Sequence, residues 1–122
     1  MKYARLYTDS AGETHFEDLD LPFTLRDYAP PAPPFAVSPF APAMQYGFLR
    51  IPAGWCGDWH PVPSRQIQIF LAGEVEAQAS DGTIWHAVPG SVVLVEDTTG
   101  KGHVSRVVGQ EDVLIAVVRL PD

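Results

Sequence analysis

Disulfide chemistry is excluded at once, because the 122-residue chain has a single cysteine, Cys56. One thiol without a basic neighbour in sequence reads as a reduced, dispensable side chain in a cytoplasmic protein. Long apolar runs are missing too. No stretch approaches membrane-spanning length, and no charged start followed by a short apolar run marks a signal peptide. Positive charge is scarce: eight Lys and Arg face fifteen Asp and Glu, for a net charge of −7. That balance argues against nucleic acid and anionic membranes as partners. Helical periodicity of useful length is absent throughout. What the chain does have is apolar content, 46% of residues, in a length that suits one domain with one core.

The chain is organised around the stretch from Gly54 to Gly73, GWCGDWHPVPSRQIQIFLAG. If its first part is extended, His60 and Val62 share a face, since side chains alternate with a period of two. After a proline-rich turn, Arg65 to Leu71 reads as a strand. Its even positions, Gln66, Gln68 and Phe70, share one face and set two amides beside the imidazole of His60. Its odd positions, Ile67, Ile69 and Leu71, are all apolar and are expected to pack in the core. A polar face backed by an apolar one predicts a lined cavity.

Further strands follow from alternation and turn residues. Lys2 to Thr8 and Glu13 to Leu19 flank the turn Asp9–Gly12, with His15 on the polar, solvent side. From Ala29 to Pro42 the chain runs APPAPPFAVSPFAP. Proline at this density forbids helix and removes ladder donors, so an extended surface segment is expected. It reads as a loop wrapping the fold, with Phe35 and Phe40 as apolar anchors. Residues 1–43 are thus N-terminal strands and a wrapping loop, and 44–122 a barrel, within one domain. Met44 to Ile51 is a strand, and Glu74 to Ser80 pairs with Thr83 to Ala87 across the hairpin signal Asp81-Gly82. Ser91 to Val95, Val104 to Val108 and Val113 to Leu120 complete the set. The last is apolar on nearly both faces and is expected to be buried on both. Many short strands with regular turns indicate an all-β sandwich or barrel.

These residues carry a resemblance. Gly54, five residues, His60-Pro61-Val62, three residues, Gln66, six residues and Gly73 resemble the first motif of the cupin superfamily, which has His-x-His and a glutamate there. The second cupin motif, glycine, Pro-x-Gly, His and Asn, is matched in part. Gly90 opens it two residues early, Thr98 stands at the proline, Gly100 and His103 match, and Val107 stands at the asparagine. The run PGSVVLVEDTTGKGHVSR is similar to a subgroup of small stand-alone cupins ending in DTTGKGH. The resemblance covers residues 44 to 120. It implies a jelly-roll β-barrel, here with an N-terminal extended arm and a proline-rich loop, and a homodimer formed through strands such as Val113 to Leu120, with the residues before Thr24 contributing to the partner's sheet.

The resemblance also implies a metal site, in part. Metal-holding cupins use both histidines of the first motif, its glutamate and the histidine of the second. His60 and His103 stand at two of those places, Val62 cannot ligate, and Gln66 offers a neutral amide oxygen. A divalent metal on His60, Gln66 and His103 therefore lacks two of the four usual ligands. Asp58, Glu96 and Asp97 are nearby carboxylates outside the motif positions. Without metal, the barrel mouth still reads as a small-molecule site: catalytic candidates His60 and His103, with Gln66, Gln68, Phe70, Trp59 and Tyr46 as ligand-binding candidates. The plain alternative is that the two histidines bond only to one another or to the glutamines, and that Trp55 and Trp59 pack at the rim.

Three functions remain open. One is metal-independent acid–base chemistry on a small organic substrate, such as isomerisation, elimination or decarboxylation, with His60 and His103 as base and acid. Another is a metal-dependent oxygenase with a reduced ligand set. The third is a module that binds or senses a ligand without turnover.

Overall fold

A computed structural model describes residues 1–122. It contains eleven strands and no helix: β1 (Lys2–Thr8), β2 (Thr14–Asp20), β3 (Thr24–Arg26), β4 (Phe35–Val37), β5 (Gln45–Ile51), β6 (Gln66–Ala72), β7 (Glu74–Ala79), β8 (Ile84–Ala87), β9 (Val92–Val95), β10 (His103–Val108) and β11 (Val113–Arg119). Every alternating segment of the sequence becomes a strand within a residue or two of its expected limits. Six strands form one sheet in the order β2-β1-β9-β6-β11-β5, and three form a second in the order β10-β7-β8. Packed face to face, they make an all-β, jelly-roll-like fold.

Register decides what lies between the sheets. On β6, Gln68 sits opposite Val93 of β9 and Val117 of β11. Val93 in turn pairs with Ala4 of β1. Period-two alternation carries the same face along each strand. The inner face of the large sheet is therefore Ala4, Leu6, Val93, Val95, Phe70, Val113, Ile115 and Val117, all nearly inaccessible. From the small sheet Val75, Ala79, Ala87 and Val107 meet them, and Val62 joins from the loop before β6.

The same register overturns one expectation. The apolar odd face of β6 points out of the barrel, and the mixed even face points in. Leu71 is 46% exposed while Phe70 is 3% exposed. The inner amides are tolerated because they are bonded: Gln68 Nε2 donates to Oε1 of Gln66, and Gln66 Nε2 donates to the Ser64 carbonyl. β11 likewise buries one face only, Val113, Ile115 and Val117, and leaves Leu114, Ala116 and Val118 half-covered on the outside. No layer of this chain covers that outer surface.

The proline-rich segment also departs from the expected wrapping loop. β3 and β4 form a separate two-stranded sheet. Phe35 and Phe40 are largely exposed and do not anchor the segment in the core. Instead both rings lie against Tyr28, at centroid distances of 5.6 and 6.0 Å.

Candidate functional site

His60 comes to the cavity rim through an irregularity in pairing. The stretch before β6 bridges β10 at Cys56↔Arg106 and again at His60↔His103. An unbroken antiparallel register from the first pair would set Trp59 opposite His103, so one extra residue is taken up between them, as in a β-bulge. The bulge sets His60 at the mouth of the cavity, still exposed, and leaves Trp59 49% exposed outside it. The backbones of His60 and His103 exchange two hydrogen bonds of 3.0 Å. Gly102 permits this approach. Its φ is +72°, and a Cβ there would fall 2.2 Å from the carbonyl carbon of His60.

The two imidazoles lie with centroids 4.8 Å apart, tilted by 52°. Each is anchored through Nδ1. His60 Nδ1 lies 2.7 Å from the backbone oxygen of Asp58, and His103 Nδ1 lies 2.5 Å from Oδ2 of Asp97. A carbonyl can only accept, and so can a carboxylate, so Nδ1 of each ring carries the hydrogen and donates it. In the neutral rings Nε2 is then the acceptor, and neither Nε2 has a partner within the protein. Asp97 is completely buried, and its other oxygen, Oδ1, has no hydrogen-bond partner. The neighbouring acid is occupied elsewhere. Arg5 and Arg65 both donate to Glu96, which ties β1 to the loop before β6. Burial pushes the Glu96 carboxyl up, but the hydrogen bonds from Arg65 and Arg5 outweigh it and hold it below the usual glutamate range.

Both histidines open onto a cavity of about 260 Å³ inside the barrel. Most of its lining is apolar, with an aromatic wall in which Trp85 lies 6.0 Å from Phe16 and 5.7 Å, edge-on, from Phe70. Gln68 and Ser105 add polar groups to the wall. The lining has one cationic residue, Arg106, and its Nη2 is 2.5 Å from the Glu76 carboxylate.

Of the residues picked from sequence, His60, His103, Gln68 and Phe70 line the cavity. Gln66 is buried beside it but does not reach it. Tyr46 does not belong to the site: it is 81% exposed on the outer face of β5, whose inward residues Leu49 and Ile51 line the cavity instead. Trp59 is outside as well, displaced by the bulge, and Trp55 takes the place at the wall. The sequence reading weighed Asp97 only as a carboxylate off the motif. Its partnership with His103, six residues on, depends on the loop Thr98–Gly102 folding back. The two glycines of that loop, Gly100 and Gly102, were the available signal.

The donor set does not fit a cupin metal. Val62 stands in the core where the second histidine would be, and the Gln66 amide is committed to Ser64 and Gln68. No three His, Cys, Asp or Glu side chains are grouped to share an ion. A catalytic metal ordinarily needs at least three protein ligands.

Two sheets, the jelly-roll arrangement and a site at the junction of the two motif histidines define the class: the chain has the cupin fold. Among solved structures, one similarity supports the fold and two more are weaker. The cupin domain of Schizosaccharomyces pombe Cnp3 matches all of this chain and 83% of its own at 16% identity, with a TM-score of 0.51. A putative ethanolamine utilization protein Q from Salmonella typhimurium matches 99% of this chain and 96% of its own at 16% identity, TM-score 0.44. A conserved Streptococcus pyogenes protein of unknown function, SPY1581, matches 63% of this chain and 64% of its own at 17% identity, TM-score 0.49. No family model matches the sequence, and no curated protein does.

Proposed function

We propose that this small cupin binds a small organic molecule in its barrel and performs metal-independent acid–base chemistry on it. The observation that carries the reading is the pair of imidazoles at the cavity wall, each held by Nδ1 and each with Nε2 unpartnered. The Nε2 of one ring can take a proton from the ligand and, as the imidazolium so formed, return it at an adjacent atom, the requirement of isomerisation. The cavity is smaller than the roughly 300 Å³ at which drug-sized sites begin, so the ligand is small. A fragment screen by ligand-observed NMR, repeated on Ala77→Leu to narrow the cavity, tests binding. Hits carrying a carbonyl are then incubated in heavy water. Deuterium entering the carbon beside the carbonyl with wild type, and not with His103→Gln, supports turnover. Binding without exchange leaves the non-catalytic, ligand-sensing reading. The oxygenase reading is disfavoured by the donor set described above.

The working unit we propose is a homodimer. The outer face of the large sheet is apolar across Tyr46, Phe48, Leu114, Val118, Ile67 and Leu71 and has no cover. The arm before β5 exposes Phe23, Leu25, Phe40 and Met44. A two-fold axis over this face would lay each arm on the other chain's sheet, and such self-complementary contacts are the usual route to dimers. Sedimentation at tens of micromolar is expected to give twice the 13.3 kDa chain mass, and a monomer there would rule the dimer out.

A further inference from the structure

The way the two rings are anchored says what kind of molecule they meet. Asp58 presents a carbonyl and Asp97 a carboxylate, so each imidazole, in its neutral form, is fixed as the Nδ1–H tautomer. The polar end of the cavity therefore offers two nitrogen acceptors and no donor from either ring. Its one cationic lining residue, Arg106, is paired with Glu76, which weakens its pull on an anion. Beyond the histidines lie Phe16, Trp85 and Phe70, whose ring edges and faces suit a flat apolar partner. An apolar cavity of about 150 Å³ already accepts benzene, and this one measures about 260 Å³.

We infer that the ligand is an uncharged, single-ring aromatic molecule bearing an acidic hydroxyl, a phenol, which donates to Nε2 of the buried His103 while its ring lies against the aromatic wall. Asp97 is the positioning residue. It does not touch the ligand; it sets the tautomer that makes His103 an acceptor. This inference rests on the cavity being a ligand site, as proposed above.

Three probes of one size separate the possibilities: phenol, toluene and benzoate, titrated calorimetrically at pH 7.5 into the full chain and into Asp97→Asn. One good hydrogen bond is worth about tenfold in affinity. Phenol is expected to bind wild type at least about tenfold more tightly than toluene, and benzoate more weakly than phenol. An asparagine can donate or accept, so the tautomer is no longer dictated. Asp97→Asn should then lose most of the phenol preference while toluene affinity stays put, which general damage to the fold would not spare. Long-range proton–nitrogen NMR on wild type alone should show both rings as Nδ1–H. Equal binding of phenol and toluene, benzoate binding at least as well as phenol, or an Nε2–H tautomer at His103 overturns the inference while leaving the cavity reading in place. Binding of none of the three probes overturns both.

Discussion

Phe70 and Leu71 are neighbours in sequence, and truncating each to alanine should give opposite results. Phe70 is 3% exposed and packs edge-on to Trp85 at 5.7 Å, whereas Leu71 is 46% exposed on the outer face. Buried Phe→Ala substitutions cost about 3–5 kcal/mol. Loss of an aromatic pair accounts for about 0.5–1.5 kcal/mol of such a figure. Phe70 borders a cavity, so part of its surface lacks contacting atoms and the low end, about 3 kcal/mol, applies. A 122-residue domain has an unfolding entropy of about 0.26 kcal/mol/K at its midpoint. The expected fall in Tm is therefore about 12 °C. Leu71→Ala should cost under about 1 kcal/mol, or about 4 °C. Thermal unfolding followed by tryptophan fluorescence, run at two protein concentrations a hundredfold apart, reads both. If the outer face is a dimer interface, the Leu71→Ala cost depends on concentration and the Phe70→Ala cost does not. A concentration-independent loss at Leu71 equal to that at Phe70 would refute the inward assignment of the even face of β6.

Other consequences concern charges and ligands. Glu96→Gln leaves Arg5 and Arg65 without their shared carboxylate and should cost about 1–2 kcal/mol in urea unfolding, after allowing for its partial exposure. Because the Glu96 carboxyl is held below its ordinary value, that stability is present above about pH 4.3 and should fade as pH drops further. Two residues from Arg5 along the β1–β2 strand pair, His15 bonds Asp9 through Nε2 and Asp81 through Nδ1, packs near Tyr7, and is held above its ordinary value by Asp9 first and Asp81 second. Its contribution is complete below about pH 6.5 and should be lost as pH rises through the raised value. His15→Gln should therefore flatten the alkaline side of the stability profile, and an unchanged profile would remove His15 from the account. Val62→His combined with Gln66→Glu supplies the two absent cupin ligands and should raise nickel or zinc affinity by on the order of a hundredfold in titration calorimetry. Wild type binding the ion equally tightly would mean that a donor set other than the motif's holds metal here.

Much of the architecture was legible in order along the chain. Alternation in Lys2–Thr8 and Glu74–Ala79 and the β-branched apolar run Val113–Arg119, with Asp81-Gly82 and other turn residues between, are enough to mark strands, because residue pattern and turn are local properties. The motif spacing also singled out His60 and His103, the two rings that line the cavity, since both belong to short segments whose neighbours hold them. Which face of a strand is inside is not local. Ile67, Ile69 and Leu71 share one side of β6 whatever the fold, but only the pairing of Gln68 with Val93 and Val117 makes that side the outer one. Tyr46 and Trp59 fell outside the site for kindred reasons: Tyr46 because the face of β5 follows β11, and Trp59 because one bulged residue reverses the side that follows it. The union of Asp97 with His103 was decided by tertiary structure in the same way. A carboxylate six residues from an imidazole has no fixed distance to it until the loop turns back at Gly100 and Gly102, and burial of both groups then leaves them each other as partners.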